Sequence, residues 1–124
     1  MRERTGGCLC GAVRYVVRGE PFHVGRCHCG DCRKRSGSAF TIYGQWPRSA
    51  LDLTGELVRF RDDAFCRTCG GRIGIVEDDG VEIQLGSLDE APFDLVPEAE
   101  VWIKRREPWL PAVEGAAQHQ ESRH

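Results

Sequence analysis

Three cysteines at positions i, i+2 and i+5, in Arg26-Cys27-His28-Cys29-Gly30-Asp31-Cys32, constrain this chain more than any other stretch. Free thiolates crowded this closely repel one another. A divalent zinc accepts several of them at about 2.3 Å and displaces their protons. Three ligands from one loop leave a tetrahedral ion one vertex short, open to a water, a thiol or a substrate, whereas structural zinc sites are closed by a fourth protein ligand.

The chain carries seven cysteines in all, in three groups: Cys8-Leu9-Cys10, the central trio, and Cys66-Arg67-Thr68-Cys69. An odd count leaves a disulfide framework incomplete, and the N-terminus Met1-Arg2-Glu3-Arg4-Thr5 has no hydrophobic leader, so metal or redox use is the better reading. Ligand economy divides seven as four plus three. Cys8, Cys10, Cys66 and Cys69 then close one structural zinc site that ties the start of the chain to its middle, and Cys27, Cys29 and Cys32 hold a second ion. Two alternatives stay open here. One joins Cys66 and Cys69 to two of the central cysteines; the other makes the central site structural as well, with His28 or His23 as its fourth ligand.

At 124 residues the expected organisation is a single zinc-binding domain over residues 1–111, with a disordered tail at 112–124. A net charge of -2 gives no prompt for nucleic acid, and no apolar run suits a membrane span, which makes a cytoplasmic protein the expectation. The secondary-structure signal is strand-like. Val13, Tyr15 and Val17 alternate with Arg14, Val16 and Arg18, and Val81, Ile83 and Leu85 alternate with Glu82 and Gln84 after a turn at Asp78-Asp79-Gly80. Ala39–Tyr43, Leu51–Gly55, Leu57–Arg61 and Ala99–Lys104 read as further strands, residues 1–7 as a polar lead, and no segment as an amphipathic helix. The expected class is all-β, mainly antiparallel, with little helix.

Gly7-Cys8-Leu9-Cys10-Gly11-Ala12-Val13-Arg14-Tyr15, then Cys27 to Gly37, then Phe65-Cys66-Arg67-Thr68-Cys69-Gly70 resemble, in that order, the glutathione-dependent formaldehyde-activating enzyme family, which also includes centromere protein V. The resemblance spans roughly residues 5 to 109. It implies the Mss4-like, zinc-stabilised β-tent architecture. It also implies two zinc ions, a structural one on Cys8, Cys10, Cys66 and Cys69 and a catalytic one on Cys27, Cys29 and Cys32. One position departs from the pattern: Glu100 stands where members of that family often carry a histidine.

The activity implied is that of a carbon-sulfur lyase resembling S-(hydroxymethyl)glutathione synthase, acting on a small thiol such as glutathione and an aldehyde such as formaldehyde. The donor chemistry agrees. Three thiolates weaken the Lewis acidity of zinc, and a soft, sulfur-rich ion suits a fourth sulfur better than a hydroxide. Arg33, Lys34 and Arg35 are candidate substrate-binding residues that would steer carboxylates of the thiol, although cations beside thiolate-rich sites also simply offset their charge. Trp46, Trp102 and Trp109 read as packing residues. The competing reading is a non-catalytic module with two structural zinc ions, and a third is a redox switch on the central thiols.

Overall fold

The computed structural model describes residues 1–123. In chain order the elements are β1 (Glu3–Gly7), β2 (Arg14–Arg18), β3 (His23–Cys27), α1 (Gly30–Ser36), β4 (Thr41–Trp46), β5 (Leu51–Thr54), β6 (Leu57–Phe60), β7 (Asp63–Cys66), β8 (Arg72–Glu77), β9 (Gly80–Gln84), β10 (Ala99–Val101) and β11 (Ala117–Gln118), with three single-turn 3-10 segments. The protein is all-β with mainly antiparallel pairing. No helix among the described residues is long and apolar enough to cross a membrane.

Two compact units emerge. The first comprises Met1–Phe22 and Gly44–Asp94, the second His23–Tyr43 and the chain from Leu95 onward. In the first unit β1 pairs with β2 and β2 with β5, all antiparallel, and a second antiparallel run has the order β9-β8-β7-β6. The period-two pattern of β2 and β9 has the expected consequence: Tyr15, Val17, Val81 and Ile83 are buried, as are Trp46, Leu51, Ile73 and Leu85. Asp78 and Asp79 form the two-residue connection of the β8–β9 hairpin, which closes at Glu77 and Gly80.

Strand β1 replaces the expected polar lead. Its inward positions are Arg4 and Gly6, so no apolar alternation marks it. Arg4 is buried because its guanidinium is met by Glu20 and Asp94, both at 3.1 Å. A buried charge is tolerated when it is paired in this way.

In the second unit all five residues of β3 are buried. β10 runs parallel to β3, with Ala99 opposite Gly25, Glu100 opposite Arg26 and Val101 opposite Cys27. Gly25 is required there, since a Cβ at that position would lie 2.4 Å from the Tyr43 hydroxyl. Three expectations are corrected in this unit. The central cysteine loop contains a helix, α1, short enough that its apolar period cannot show; it ends at Gly37 in the left-handed region. β10 stops at Val101, because Trp102 takes a left-handed conformation at φ 58° and a 3-10 turn follows.

The third correction concerns the tail expected to be disordered at 112–124, of which His124 lies outside the described residues. β11 pairs in parallel with β10, Ala99 opposite Ala117 and Glu100 opposite Gln118. The physical reason is Glu100, whose fully buried carboxylate draws in the Val113 amide at 2.7 Å and the Gln118 side-chain amide at 2.9 Å.

Candidate metal centres

The structure brings the cysteines into two sets, Cys8, Cys10, Cys66 and Cys69 in the first unit and Cys27, Cys29 and Cys32 in the second. Within each set every sulfur lies within 4.8 Å of the others. Cys66 and Cys69 thus group with Cys8 and Cys10. No histidine among the described residues joins either set. His28 instead points its Nε2 at Glu100, and His23 places its Nδ1 3.1 Å from Glu98.

The four-cysteine set is built from two turns. Cys8 and Cys10 follow β1, and Cys66 ends β7 with Cys69 in the turn beyond it. Backbone amides converge on the sulfurs: Val13 donates to Cys8 at 3.2 Å, Thr68 to Cys66 at 3.2 Å and Gly71 to Cys69 at 3.4 Å. Gly70 makes the last of these geometries accessible by adopting φ 75°, a region closed to most side chains. The Cys8–Cys10 and Cys10–Cys66 sulfur separations are both 3.7 Å. A tetrahedron of sulfurs about 2.3 Å from zinc has edges of about 3.8 Å, so this set fits a closed tetrahedral ion. The thiols also share protons unevenly. Burial opposes ionisation of Cys8, but the Val13 amide and the neighbouring thiols hold it down at about 6. At Cys10 the Ala12 amide lowers the pKa, yet burial and the same neighbours win and push it up to about 11.

The three-cysteine set is local. Cys27 is the last residue of β3, Cys29 caps α1 and Cys32 lies in its first turn. The Cys29 sulfur accepts from the Cys32 amide at 3.3 Å, while the Cys27 sulfur receives the Cys29 amide at 3.5 Å. The Cys27 thiol is pushed upward by Cys32 foremost and then by burial. Cys32 is held down at about 5, first by Cys27, then by Thr41 and Cys29 and by the charge of Arg35, against burial. Cys27 is buried, whereas Cys29 and Cys32 are partly open to solvent. The donor set fits a soft divalent ion such as zinc with one coordination position not supplied by the described residues.

The basic trio separates on inspection. Arg33 is committed elsewhere: its Nη2 donates to Glu107 at 2.6 Å and its Nη1 to the Arg105 carbonyl. Lys34 is exposed on the far part of α1. The charge of Arg35 reaches the Cys32 sulfur. The tryptophans separate as well. Trp46 is fully buried, with its Nε1 donating to the Gly19 carbonyl at 3.0 Å. Trp102 packs against Cys27, Tyr43 and Val101 together with Cys29 and Cys32, and Trp109 is 71% exposed.

Near the second set Trp102 packs as the sequence suggests, Thr41 escaped the sequence reading, and Glu100, marked there only as a departure from the family pattern, has partners that reading did not foresee. Glu100 Oε1 accepts from Arg26 at 2.6 Å and lies 2.7 Å from His28 Nε2, and these two residues flank Cys27. Burial pushes its carboxyl up, but the Gln118, His28, Val113 and Arg26 hydrogen bonds prevail and hold it at about 2. One signal was present in the sequence: an acid within the otherwise apolar Ala99-Glu100-Val101-Trp102. A charge at such a position is retained only if it is paired.

Comparison with known proteins agrees with this geometry. A family model described as "Glutathione-dependent formaldehyde-activating enzyme" matches residues 3–105. Among solved structures, a crystal structure of a Rhodobacter sphaeroides protein matches with a TM-score of 0.52 and 27% identity, over 75% of this chain and 97% of that one. No curated protein matches the chain significantly.

Proposed function

On the premise that this chain belongs to the glutathione-dependent formaldehyde-activating enzyme family, we propose that it is a zinc-dependent carbon-sulfur lyase that makes or breaks thiol-aldehyde adducts. Its reaction is the addition of a small thiol such as glutathione to formaldehyde, or the reverse. The observation that carries the reading is the contrast in ligand number: four sulfurs in one set and three in the other.

In the forward direction the thiol sulfur forms a bond to the carbonyl carbon. The carbonyl π bond breaks, and the thiol proton ends on the oxygen as a hydroxyl. No oxidant or reductant is consumed. A zinc ion bound at Cys27, Cys29 and Cys32 would supply a soft acceptor that keeps a substrate thiol deprotonated at neutral pH. The chain's own residues do the remaining work. Cys29 and Cys32, at the start of α1, present the site to solvent, while Trp102 adds apolar surface to the cluster of Cys27, Tyr43 and Val101. Arg35 contributes positive charge beside Cys32 and would favour an anionic thiol over a neutral one.

The test is exchange of formaldehyde with glutathione followed by NMR line broadening, with and without the protein. Expected is an exchange rate above the uncatalysed one that is lost in Cys29→Ser. An unchanged rate, with both ions retained in the presence of excess thiol, would replace this reading with a non-catalytic module of two structural zinc ions.

A further inference from the structure

We propose that residues 111–121 are a strap that holds the Cys27–Cys32 metal loop through Glu100, making Glu100 and Gln118 positioning residues of that centre. The inference rests on the reading that this loop holds a zinc ion.

The two oxygens of Glu100 divide their partners. Oε1 serves the metal loop through Arg26 and His28, the residues on either side of Cys27. Oε2 serves the strap, accepting from the Val113 amide and the Gln118 side chain. One buried carboxylate thus ties both neighbours of a metal-set cysteine to a segment 13 to 18 residues further on. Arg26 reaches the strap directly too, donating to the Pro111 carbonyl at 2.8 Å. The Gln118 amide cannot turn over without loss, because its oxygen accepts from Arg106 at 2.6 Å and so directs its NH2 at Glu100.

The backbone repeats the connection. The His119 amide donates to the Glu100 carbonyl at 2.9 Å and the Trp102 amide to the Glu121 carbonyl at 2.9 Å. Trp102, held in its left-handed conformation, packs on the same buried cluster of Cys27, Tyr43 and Val101 as Cys29 and Cys32 do. On the loop side the His28 amide donates to the Val101 carbonyl at 3.2 Å. Withdrawing the strap would leave a fully buried carboxylate with half its donors and would free Trp102 from its backbone partner. Residues 111–121 lie past position 105, where the family match ends, so the strap is a feature of this chain beyond the matched region.

The experiment uses full-length protein loaded with zinc, and follows release of both ions to a chromophoric chelator. Cys27→Ser identifies which kinetic phase belongs to the second set. Gln118→Glu keeps the side-chain size but places an acceptor against Glu100; Gln118→Ala deletes the donor; Glu100→Gln removes the charge. Expected is release from the second set faster by about 10- to 100-fold in Gln118→Glu and Glu100→Gln, less so in Gln118→Ala, with the first-set phase unchanged. The cobalt-loaded second set should show altered ligand-field bands in the same variants, which simple loss of stability would not produce in folded protein. Should Glu100→Gln fail to fold, Gln118→Glu decides.

Unchanged second-set release in the Gln118 variants overturns the strap, as does equal acceleration of both phases in all of them. A single ion released from the unaltered chain overturns the metal centre itself, and the strap with it. Two ions released at variant-independent rates overturn the strap alone.

Discussion

The two cysteine sets assemble the same ligands in opposite ways. In the first unit four sulfurs come from turns more than fifty residues apart, Cys10 and Cys66 being 56 positions distant, and each turn aims backbone amides at its sulfurs. In the second unit three sulfurs come from six consecutive residues, and to the loop's own amides is added support from elsewhere, through Glu100. A set assembled from distant segments holds the chain together once an ion closes it. A set assembled from one loop adds little crosslinking, so on the proposed reading its ion would be left to serve a substrate while other residues keep the loop in shape.

The largest effect should come from breaking the closed set. Cys66→Ser should abolish cooperative unfolding at 25 °C, since structural zinc contributes about 10 kcal/mol or more, comparable with the whole stability of a small domain. Thermal unfolding by circular dichroism would show it. The same substitution at Cys29 should cost one ion per chain but leave the transition in place, with exchange activity reduced at least about 100-fold. A Cys29→Ser chain that fails to fold would erase the distinction between the sets.

Next in size is Glu100→Ala. It strands Arg26 without its carboxylate and should destabilise by about 3–5 kcal/mol, or roughly 10–20 °C in melting temperature. Acid titration sharpens the point. The folded-state pKa of Glu100 is held at about 2 against an ordinary 4.5, so its contribution is complete above the ordinary value and is lost as pH falls from there toward about 2. Comparing the unaltered chain with Glu100→Gln by denaturant unfolding across that window should show the difference between them shrinking as pH falls; a constant difference would mean the carboxylate is not the stabilising group.

The smallest effect is expected at α1. Arg33→Ala removes a partly exposed ion pair and should cost no more than about 1 kcal/mol, leaving KM for an anionic thiol unchanged. Arg35→Ala should raise that KM several-fold while sparing a neutral thiol, because its charge reaches Cys32. Equal effects on both thiols would remove the electrostatic preference.

How much of this was legible in the sequence follows from the range of the interactions. The three cysteine groups showed in their spacing and the β8–β9 hairpin in its alternation around two aspartates, because both signals are local; that Cys8 and Cys10 join Cys66 and Cys69 was favoured by ligand economy, with a mixed partition left open. Strand β1 was hidden by inward-facing Arg4 and Gly6, whose acceptance depends on Glu20, Asp94 and Tyr15. Helix α1 was hidden by its length, although Gly37 marks its end. The role of Glu100 was illegible because its partners lie 72 and 74 positions before it and 13 and 18 after it. The tail was misjudged for the same reason: it looked solvated when its Gln118 side chain and Val113 amide answer one buried charge.

The parallel pairing of β3 with β10 and of β10 with β11 also sets an order of events during synthesis. Cys27, Cys29 and Cys32 leave the ribosome together and early, whereas Glu100 is translated about seventy residues later and Gln118 later still. Until then Arg26 and His28 have no carboxylate between them, and the loop carries reactive thiols without the strands that will hold it. Synthesis therefore imposes a delay between the appearance of the metal-binding sulfurs and the completion of their support, during which the nascent chain is most exposed to oxidation or to capture of the wrong ion.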